Sequence, residues 1–247
     1  MTNNIGKVPN TVLIEGLASH YKAGTYILEH SHDTHQIVHA ISGAMRVKVS
    51  DATWIVPPGR ALWVPANMLH SIQCTGNVEM RTVYLNGDLP SVRANVAVIN
   101  VSPLMREMLV RLSEGCDERQ TGHLVALLLI EMAAMDVECL RLPIPKDARI
   151  ARLVAAMLEQ PADQTLLGGW AKRLGFSQRN LIRYIRAGTG MSFRELRRQI
   201  RIVAAIEKLS GGQSVTNVAL DVGFETPSAF IHAFRLTTGV TPGKYIM

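Results

Sequence analysis

The chain has 247 residues, of which 47% are hydrophobic, and a formal net charge of +6 at neutral pH. That apolar content excludes a fully disordered chain, and the length allows two domains with separate cores. The longest apolar run, Leu124–Met135, is interrupted by Glu131 and falls short of the ~20 residues that cross a bilayer. We therefore expect a chain without membrane contact.

The N-terminus and the cysteines indicate where the protein works. Met1–Asn10 is polar and lacks the basic-then-apolar order of a signal peptide. Cys74, Cys116 and Cys139 are far apart and odd in number, which is typical of free thiols in a reducing compartment. The sequence predicts a cytoplasmic protein.

The positive charge is concentrated towards the C-terminus. From Lys146 onward there are fifteen Lys and Arg against seven Asp and Glu, whereas residues 1–145 hold eleven against thirteen. A basic domain beside a near-neutral one favours a polyanion as the partner of the basic part.

Residues 1–95 are predicted to form a β domain. Short runs rich in Val, Ile and Thr, such as Met45–Val49 and Thr53–Val56, are separated by Gly, Pro and Asn. Strands that follow one another at such short intervals favour a compact antiparallel barrel or sandwich.

The apolar period changes to that of helices in residues 96–140. Ser102 and Pro103 are a predicted N-cap and first-turn pair for a helix that ends at Gly115. A second helix is predicted at about Gly122–Leu140. We expect this helical hairpin to form the interface of a homodimer. The alternative is that its apolar face packs against the protein's own barrel.

A linker is predicted at residues 141–148, followed by a DNA-binding domain at 149–247. Two prolines in Leu142–Lys146 disfavour both helix and sheet. The overall prediction is therefore α+β, with an N-terminal barrel, a helical hairpin and an all-helical C-terminal domain.

The C-terminal domain contains an internal repeat. Ala171–Phe176 matches Ala219–Phe224 at an offset of 48, and after one inserted residue the match resumes at 49. Each copy reads as a short helix, a glycine turn and a second helix, which is a helix-turn-helix. The two units are predicted at about 165–186 and 214–237.

Capping residues support each predicted helix. Thr165 and Ser177 are the expected N-caps of the first unit, and Ser214 and Thr226 those of the second. Between the units, Ser192–Glu195 has the pattern of a capping box that opens a long helix.

The second helix of a helix-turn-helix lies in the major groove and presents its N-terminal half to the bases. Arginine can bond guanine, and isoleucine can contact the methyl group of thymine. The candidate base-reading residues are Gln178, Arg179, Ile182 and Arg183 in the first unit and Pro227, Ser228, Ile231 and His232 in the second. The candidate phosphate ligands are Arg186, Arg194, Arg198 and Arg235.

Residues Arg149–Tyr245 resemble the DNA-binding domain of the AraC/XylS family of bacterial regulators. The similarity is continuous over Gly211–Phe230 and resumes at Phe234-Arg235 and Gly239–Tyr245. It implies two helix-turn-helix units, joined by a long helix, that read successive major-groove segments of double-stranded DNA. The chain departs from the family at Gly168-Gly169, since each glycine inside a helix costs ~1 kcal/mol relative to alanine.

The N-terminal part resembles the two cupin motifs. Gly24, His30, His32, Gln36 and Gly43 have the spacing of the first motif, with Gln36 where metal-binding cupins have glutamate. The second motif is represented by Gly59, Pro65, Asn67 and His70. The resemblance implies a small barrel, which regulators of the AraC type often use as an effector sensor.

His30 and His32 alternate along a predicted strand and are expected on one face of it. His70 could complete a three-imidazole set for Zn, Ni, Cu or Fe, although the neutral Gln36 is a poor fourth ligand. The alternative, which we favour, is that His30, His32, Gln36 and His70 line a small-molecule pocket or are hydrogen-bonded at the mouth of the barrel, and that the protein has no cofactor.

Three functions are consistent with these features. The leading one is an effector-controlled, DNA-binding transcription regulator without enzymatic activity. A metal-dependent cupin enzyme with an accessory nucleic-acid domain would need a full metal set, and Gln36 argues against it. An architectural DNA-binding protein without a ligand would have a barrel filled by side chains.

Overall fold

The computed structural model describes residues 14–86, 89, 94–134, 137–138 and 141–246. The chain divides into two units, residues 1–50 with 56–139, and residues 51–55 with 140–247. The strands are β1 (Ile14–Tyr21), β2 (Tyr26–His30), β3 (His35–Ser42), β4 (Met45–Val49), β5 (Ala52–Val56), β6 (Arg60–Val64), β7 (His70–Cys74), β8 (Val78–Leu85), β9 (Ala97–Asn100), β10 (Val137–Glu138) and β11 (Arg141–Pro143).

The first unit is built on antiparallel sheets, as predicted. One sheet has six strands in the order β1-β8-β3-β6-β9-β10. β7 pairs with both β2 and β4 in the other. The resulting fold is the cupin-like β domain expected from the sequence.

The six-stranded sheet is covered on one face by helices. These are α1 (Pro103–Glu114) and α2 (Glu118–Ala134). Ile37 on β3 pairs with Val83 and Trp63, and all three belong to a buried cluster with Met105 and Leu109 of α1. Successive strand residues point to opposite faces, so Gln36 faces away from this cluster.

The helical hairpin differs from its predicted bounds. Ser102 caps α1 and Gly115 ends it, as expected. However, α2 begins earlier than predicted because Asp117 accepts a hydrogen bond from the backbone N–H of Gln120. The predicted extension of α2 to Leu140 is wrong, since Val137 and Glu138 pair with β9 instead. Leu140 itself lies outside the described residues.

One strand of the second unit, β11, lies inside the predicted linker. β11 pairs antiparallel with β5, with Pro143 opposite Ala52, and the Ile144 N–H donates to the Asp51 carbonyl. Proline therefore stands at the end of a short edge strand, a position that it tolerates. The domain boundaries themselves stay predictions.

The rest of the second unit is helical. Its helices are α3 (Ala148–Glu159), α4 (Leu167–Leu174), α5 (Gln178–Thr189), α6 (Phe193–Ser210), α7 (Val215–Asp221), α8 (Pro227–Thr238) and α9 (Pro242–Ile246). α4 with α5 and α7 with α8 form the two helix-turn-helix units, and α6 joins them. Leu181, Ile200, Val218 and Phe230 are fully buried in one shared core.

The predicted caps form with one exception. Ser177, Ser214 and Thr226 each accept a backbone hydrogen bond from the first turn of their helix. Ser192 and Glu195 form the reciprocal capping box that opens α6. Thr165 is the exception.

The prediction that Thr165 caps α4 is wrong. The N-cap position is Leu166, which makes no side-chain bond to the helix. The Thr165 N–H instead donates to the side chain of Asp163, and its carbonyl accepts from Arg197. These contacts hold Thr165 one residue before the N-cap of α4.

Candidate nucleic-acid interface and effector site

The first reading helix, α5, presents its N-terminal half to solvent. Its start is fixed by Gly175, which is left-handed with φ 69°, and by the Ser177 cap. Leu181 and Ile185 anchor its inner face. The four predicted base-reading residues are all exposed, namely Gln178, Arg179, Ile182 and Arg183.

The second reading helix, α8, starts at Pro227 after the Thr226 cap. Ser228, Ile231 and His232 are exposed, whereas Pro227 is half-buried. Ile182 of α5 and Ile231 of α8 keep 47% and 37% of their surfaces exposed. An exposed isoleucine among polar residues suits contact with a base edge that carries a methyl group.

Most of the predicted phosphate ligands are also accessible. Arg186, Arg194 and Arg235 are exposed, and Arg198 is half-buried. An open groove of about 370 Å³ lies between α6 and α8. It is lined by Arg194, Arg197, Arg198, Arg201, Phe224, Ala229, His232, Ala233 and Leu236. Arg194 and Arg198, which lie beside the exposed reading helix, suit the approach of a phosphate backbone.

Two arginines of α6 have a different role, which the sequence analysis did not assign. Arg197 donates to the Thr165 carbonyl, and Arg201 donates to Pro161 and Gln164. Both side chains are half-buried, and the loss of hydration lowers the pKa of each guanidinium. Their contacts are with the protein itself, and the helical pattern alone does not separate them from Arg194 and Arg198.

Three predicted histidines converge in the first unit. His30 pairs with His70 across β2 and β7, and their ring centroids are 4.3 Å apart. His32 lies in the connection after β2 rather than on the strand, so the predicted reason for its placement was wrong. Its ring centroid is nevertheless 4.9 Å from that of His30 and 5.5 Å from that of His70.

Backbone contacts fix the tautomers of two of these rings. Nδ1 of His30 lies 2.6 Å from the Leu28 carbonyl, and Nδ1 of His70 lies 2.9 Å from that of Met68. Since a carbonyl can only accept, each Nδ1 carries the proton and each Nε2 presents a lone pair. Burial lowers the pKa of His32 and His70, which keeps both rings neutral at physiological pH.

Gln36 is linked to the histidine group through Tyr84, which lies on the adjacent strand of the same sheet. Its side chain is buried, and its Nε2 donates to the Tyr84 hydroxyl at 3.3 Å. The Tyr84 ring in turn contacts His32, with centroids 4.9 Å apart. Tyr84 was missed in the sequence analysis because it belongs to no motif; strand pairing brings it to Gln36.

An open cavity of about 350 Å³ adjoins this group. It is lined by Leu17 and by residues with polar side chains, namely Glu15, His32, Asp33, Thr34, Tyr84 and Asn86. The volume is within the range of small-molecule sites, and two carboxylates give it a negative character. The structure thus brings His30, His32 and His70 together and links Gln36 to them through Tyr84. Of the four predicted pocket residues, only His32 lines this cavity.

His35 and His39 lie outside this group. His35 stacks on Trp63 and accepts from the Ala66 N–H. His39 is fully buried and bonds the Arg60 carbonyl through Nδ1, and burial lowers its pKa to about 4. Both make structural contacts within the β domain.

Two known domain families match the chain. The one described as an AraC-like ligand binding domain matches residues 12–132, and the one described as a helix-turn-helix domain matches residues 170–247. The first match contains the histidine group, and the second contains both reading helices.

Known regulators are similar to this chain. The HTH-type transcriptional regulator NimR of Escherichia coli K12 is 33% identical over 221 residues, which cover 88% of this chain and 81% of the relative. The HTH-type transcriptional regulator RipA of Corynebacterium glutamicum is 39% identical over 104 residues, or 42% of this chain and 31% of the relative. Among solved structures, the DNA-binding domain of AdpA in complex with a target DNA is 30% identical, with a TM-score of 0.38, and covers 40% of this chain and 89% of that one.

Proposed function

Because the chain belongs to the AraC family of helix-turn-helix transcription regulators, we propose how it performs that function. A small molecule binds in the cavity beside the histidines of the first unit. α5 and α8 of the second unit enter successive major-groove segments of a promoter. Effector binding changes the affinity for that promoter, which couples transcription to the concentration of the small molecule.

One observation carries the DNA-binding part of this proposal. Both reading helices begin after a glycine turn and a side-chain cap, and both leave the polar side chains of their first turns exposed. In this proposal the residues of α5 and α8 named above read bases. Arg186, Arg194, Arg198 and Arg235 hold phosphates and set the register without reading sequence.

The cavity indicates the class of effector. Glu15 and Asp33 give its lining a negative character, and Tyr84, Thr34 and Asn86 can donate or accept hydrogen bonds. We expect a small polar molecule that is neutral or cationic and that donates hydrogen bonds. An anionic ligand would face the two carboxylates and bind weakly.

The exposed side of α2 is the proposed interface with a second copy of the chain. Between Gly122 and Ala133 its exposed residues include no Lys, Arg, Asp or Glu; they are Gly122, His123, Leu127, Ile130 and Ala133. Leu127 and Ile130 keep 39% and 53% of their surfaces exposed although α2 already packs on the sheet. Apolar side chains that remain exposed on a helix already packed against its own domain are typical of a dimer interface.

The proposal is tested with the full chain on DNA from upstream of its own gene and neighbouring genes. Footprinting should show two protected major-groove segments about one helical turn, or 10 bp, apart. Binding should weaken steeply with salt, because log K falls by about 0.9 per phosphate contact for each tenfold rise in salt. A protein that binds all sequences equally, or none, would contradict the proposal.

A metal ion is the second candidate ligand of the first unit. The candidate ligand atoms of His30, His32 and His70 lie within 4.8 Å of one another, and Nε2 of His32 and of His70 are buried without a partner in the described part of the chain. Converging lone pairs without a donor favour a cation. The donor set fits Zn²⁺, Ni²⁺, Cu²⁺ or Fe²⁺, provided that the rings move together, because zinc-bound nitrogens lie ~3.4 Å apart.

Such an ion, if bound, would supply a Lewis acid that holds an electron-rich group of the effector. Metal analysis of the purified protein and Zn²⁺ titration of wild type and His70→Gln would decide. A stoichiometric metal that the variant loses supports the site, whereas an equal metal content in both excludes it. Stoichiometric iron in a protein that binds no DNA in a gel-shift assay would favour the alternative of a cupin enzyme. The similarity to known transcription regulators favours the opposite result.

A further inference from the structure

The segment 161–165, between α3 and α4, contacts both helix-turn-helix units. We call it the bridging segment. It leads directly into α4 of the first unit. Its Gln164 donates through Nε2 to the carbonyl of Gly223, at 3.0 Å. Gly223 is the turn residue between α7 and α8, so the first unit is tied to the turn of the second by a contact that does not follow the chain.

Arg201 of α6 completes this contact from the other side. Its Nη2 donates to Gln164 Oε1 at 3.1 Å, and its Nε donates to the Pro161 carbonyl at 3.0 Å. The guanidinium also lies 5.6 Å from the centre of the Phe224 ring, beside the same turn. One planar side chain therefore orders the bridging segment and faces the second unit.

Packing at Gly223 leaves no room for a side chain. A Cβ on this residue would lie 2.8 Å from Ala162 Cα and 3.0 Å from Arg201 Nη2. The backbone of the bridging segment thus rests directly on the turn of the second unit. Arg197 holds the other end of the segment through the Thr165 carbonyl.

The contact between the bridging segment and Gly223 matters because the chain that joins the two units contains flexible glycine residues on either side of α6. α6 is one continuous helix, but Gly190 precedes it, and Gly211 and Gly212 lie between it and α7. The shared core packs both units on α6, but the glycine junctions by themselves would allow the units to rotate. Two reading helices that meet successive groove segments must instead keep one separation and one rotation, set by the pitch of DNA.

We infer that Gln164 and Arg201 are positioning residues that set the half-site spacing accepted by this regulator. The inference rests on the proposed reading of DNA by α5 and α8. Neither residue needs to touch DNA: by holding the bridging segment on the Gly223 turn, they fix one helix-turn-helix unit relative to the other. Removing the contact should relax the required spacing while leaving the base preference within each half-site unchanged.

The test compares binding of the full chain to its own operator and to operators with one base pair inserted or deleted between the two half-sites. Wild type should bind the altered operators far more weakly than its own. Gln164→Ala should bind its own operator about fivefold more weakly, the effect of one or two hydrogen bonds. Its spacing penalty should be smaller than that of wild type by a similar factor.

Two further variants separate positioning from other roles. Arg201→Lys keeps the charge but not the planar fork, and should behave like Gln164→Ala; a role in phosphate attraction alone would leave Arg201→Lys close to wild type. Gln160→Ala removes the same side chain at the end of α3, where the backbone N–H bonds the Ala156 carbonyl, and should match wild type on every operator.

A distance measurement provides an assay without DNA. Spin labels at exposed Lys172 and Leu236, after the native cysteines are replaced, should give a narrow distance distribution in wild type and a broader one in Gln164→Ala. Equal widths and equal spacing penalties would overturn the inference. Failure of wild type to bind any operator specifically would overturn the proposed function instead.

Discussion

The carboxamide of Gln178 lies against the backbone of Gly168. A Cβ on residue 168 would be 2.9 Å from Gln178 Nε2 and 3.6 Å from its Cδ. The two residues belong to different helices of the first helix-turn-helix unit, α4 and α5. The glycine that weakens α4 by its low helix propensity thus makes room for the first candidate base-reading side chain of α5.

Replacing Gly168 by alanine should therefore change DNA reading without harming the fold. Gly168→Ala should raise the free energy of unfolding, by up to ~1 kcal/mol, because alanine is the better helix former. The displaced Gln178 should alter the preference at one base pair, measured by selection from randomised operators. Gly168→Ala should have no such effect in a Gln178→Ala background, and an effect there would show that Gln178 is not the mediator.

Arg179 and Arg198 should fail in different ways when truncated. Arg179→Ala should lower discrimination at one base pair by about 1–3 kcal/mol, since Arg179 is a proposed base ligand. Arg198→Ala should weaken binding equally on all sequences and reduce the salt slope by about 1, since Arg198 is a proposed phosphate ligand. Affinities on an operator series at several salt concentrations measure both. Identical profiles for the two variants would contradict the assignment.

Ile130→Glu should separate the proposed dimer. Burying an unpaired carboxylate in an apolar interface costs at least ~2 kcal/mol, or about 30-fold in the dissociation constant. Sedimentation velocity over a concentration series measures the change. Leu220→Glu is the matched control, because Leu220 is 55% exposed on α7, outside the proposed interface. If both variants sediment like wild type, α2 does not form the dimer interface.

His39 should make the first unit sensitive to acid. Its pKa is lowered to about 4 in the folded state by burial, so between pH 4 and 6.5 the unfolded chain binds the additional proton. Stability should then be fully present above pH 6.5 and decrease by roughly 3 kcal/mol as pH falls to about 4. Denaturant unfolding at each pH measures this slope. His39→Met, which cannot titrate, should flatten it; an unchanged slope would assign the effect to other groups.

The second unit was predictable from sequence because its determinants are local. Ser177, Ser214 and Thr226 are caps that act within their own first turns, and the capping box of Ser192 and Glu195 spans a single turn. The repeat then placed the reading helices. Each of these caps bonds a backbone N–H three residues further along the chain, and each was identified correctly.

The errors occurred where tertiary contacts decide. α2 is shorter than predicted because Val137 pairs with Ile99 of β9. Thr165 does not cap α4 because its N–H donates to Asp163 and its carbonyl accepts from Arg197, which lies 32 residues away in the chain. His32 joins the histidine group from a connection rather than from a strand. The sequence does not distinguish Arg197 and Arg201 from other basic residues of an exposed helix, because their partners in the bridging segment are distant in the chain.

Asn67 adopts a backbone conformation that usually favours glycine. It stands where the second cupin motif has glycine, and it adopts φ 62°. Asparagine tolerates this left-handed conformation better than most residues. The turn before β7, and with it the position of His70, is thereby retained without glycine.

The two turn glycines, Gly175 and Gly223, occupy corresponding places in the duplicated units but will not tolerate change equally. In the part of the chain that the structure describes, no atom beyond Gly175 and its chain neighbours lies within 4 Å of a Cβ placed at Gly175. Asparagine would therefore meet only the backbone preference there, whereas at Gly223 any side chain also collides with Ala162. A mutational library of this domain should thus recover variants at the earlier position and almost none at the later one. The two units are therefore not equivalent: the turn of the first can accommodate a side chain, whereas the turn of the second is closed by its contact with Ala162.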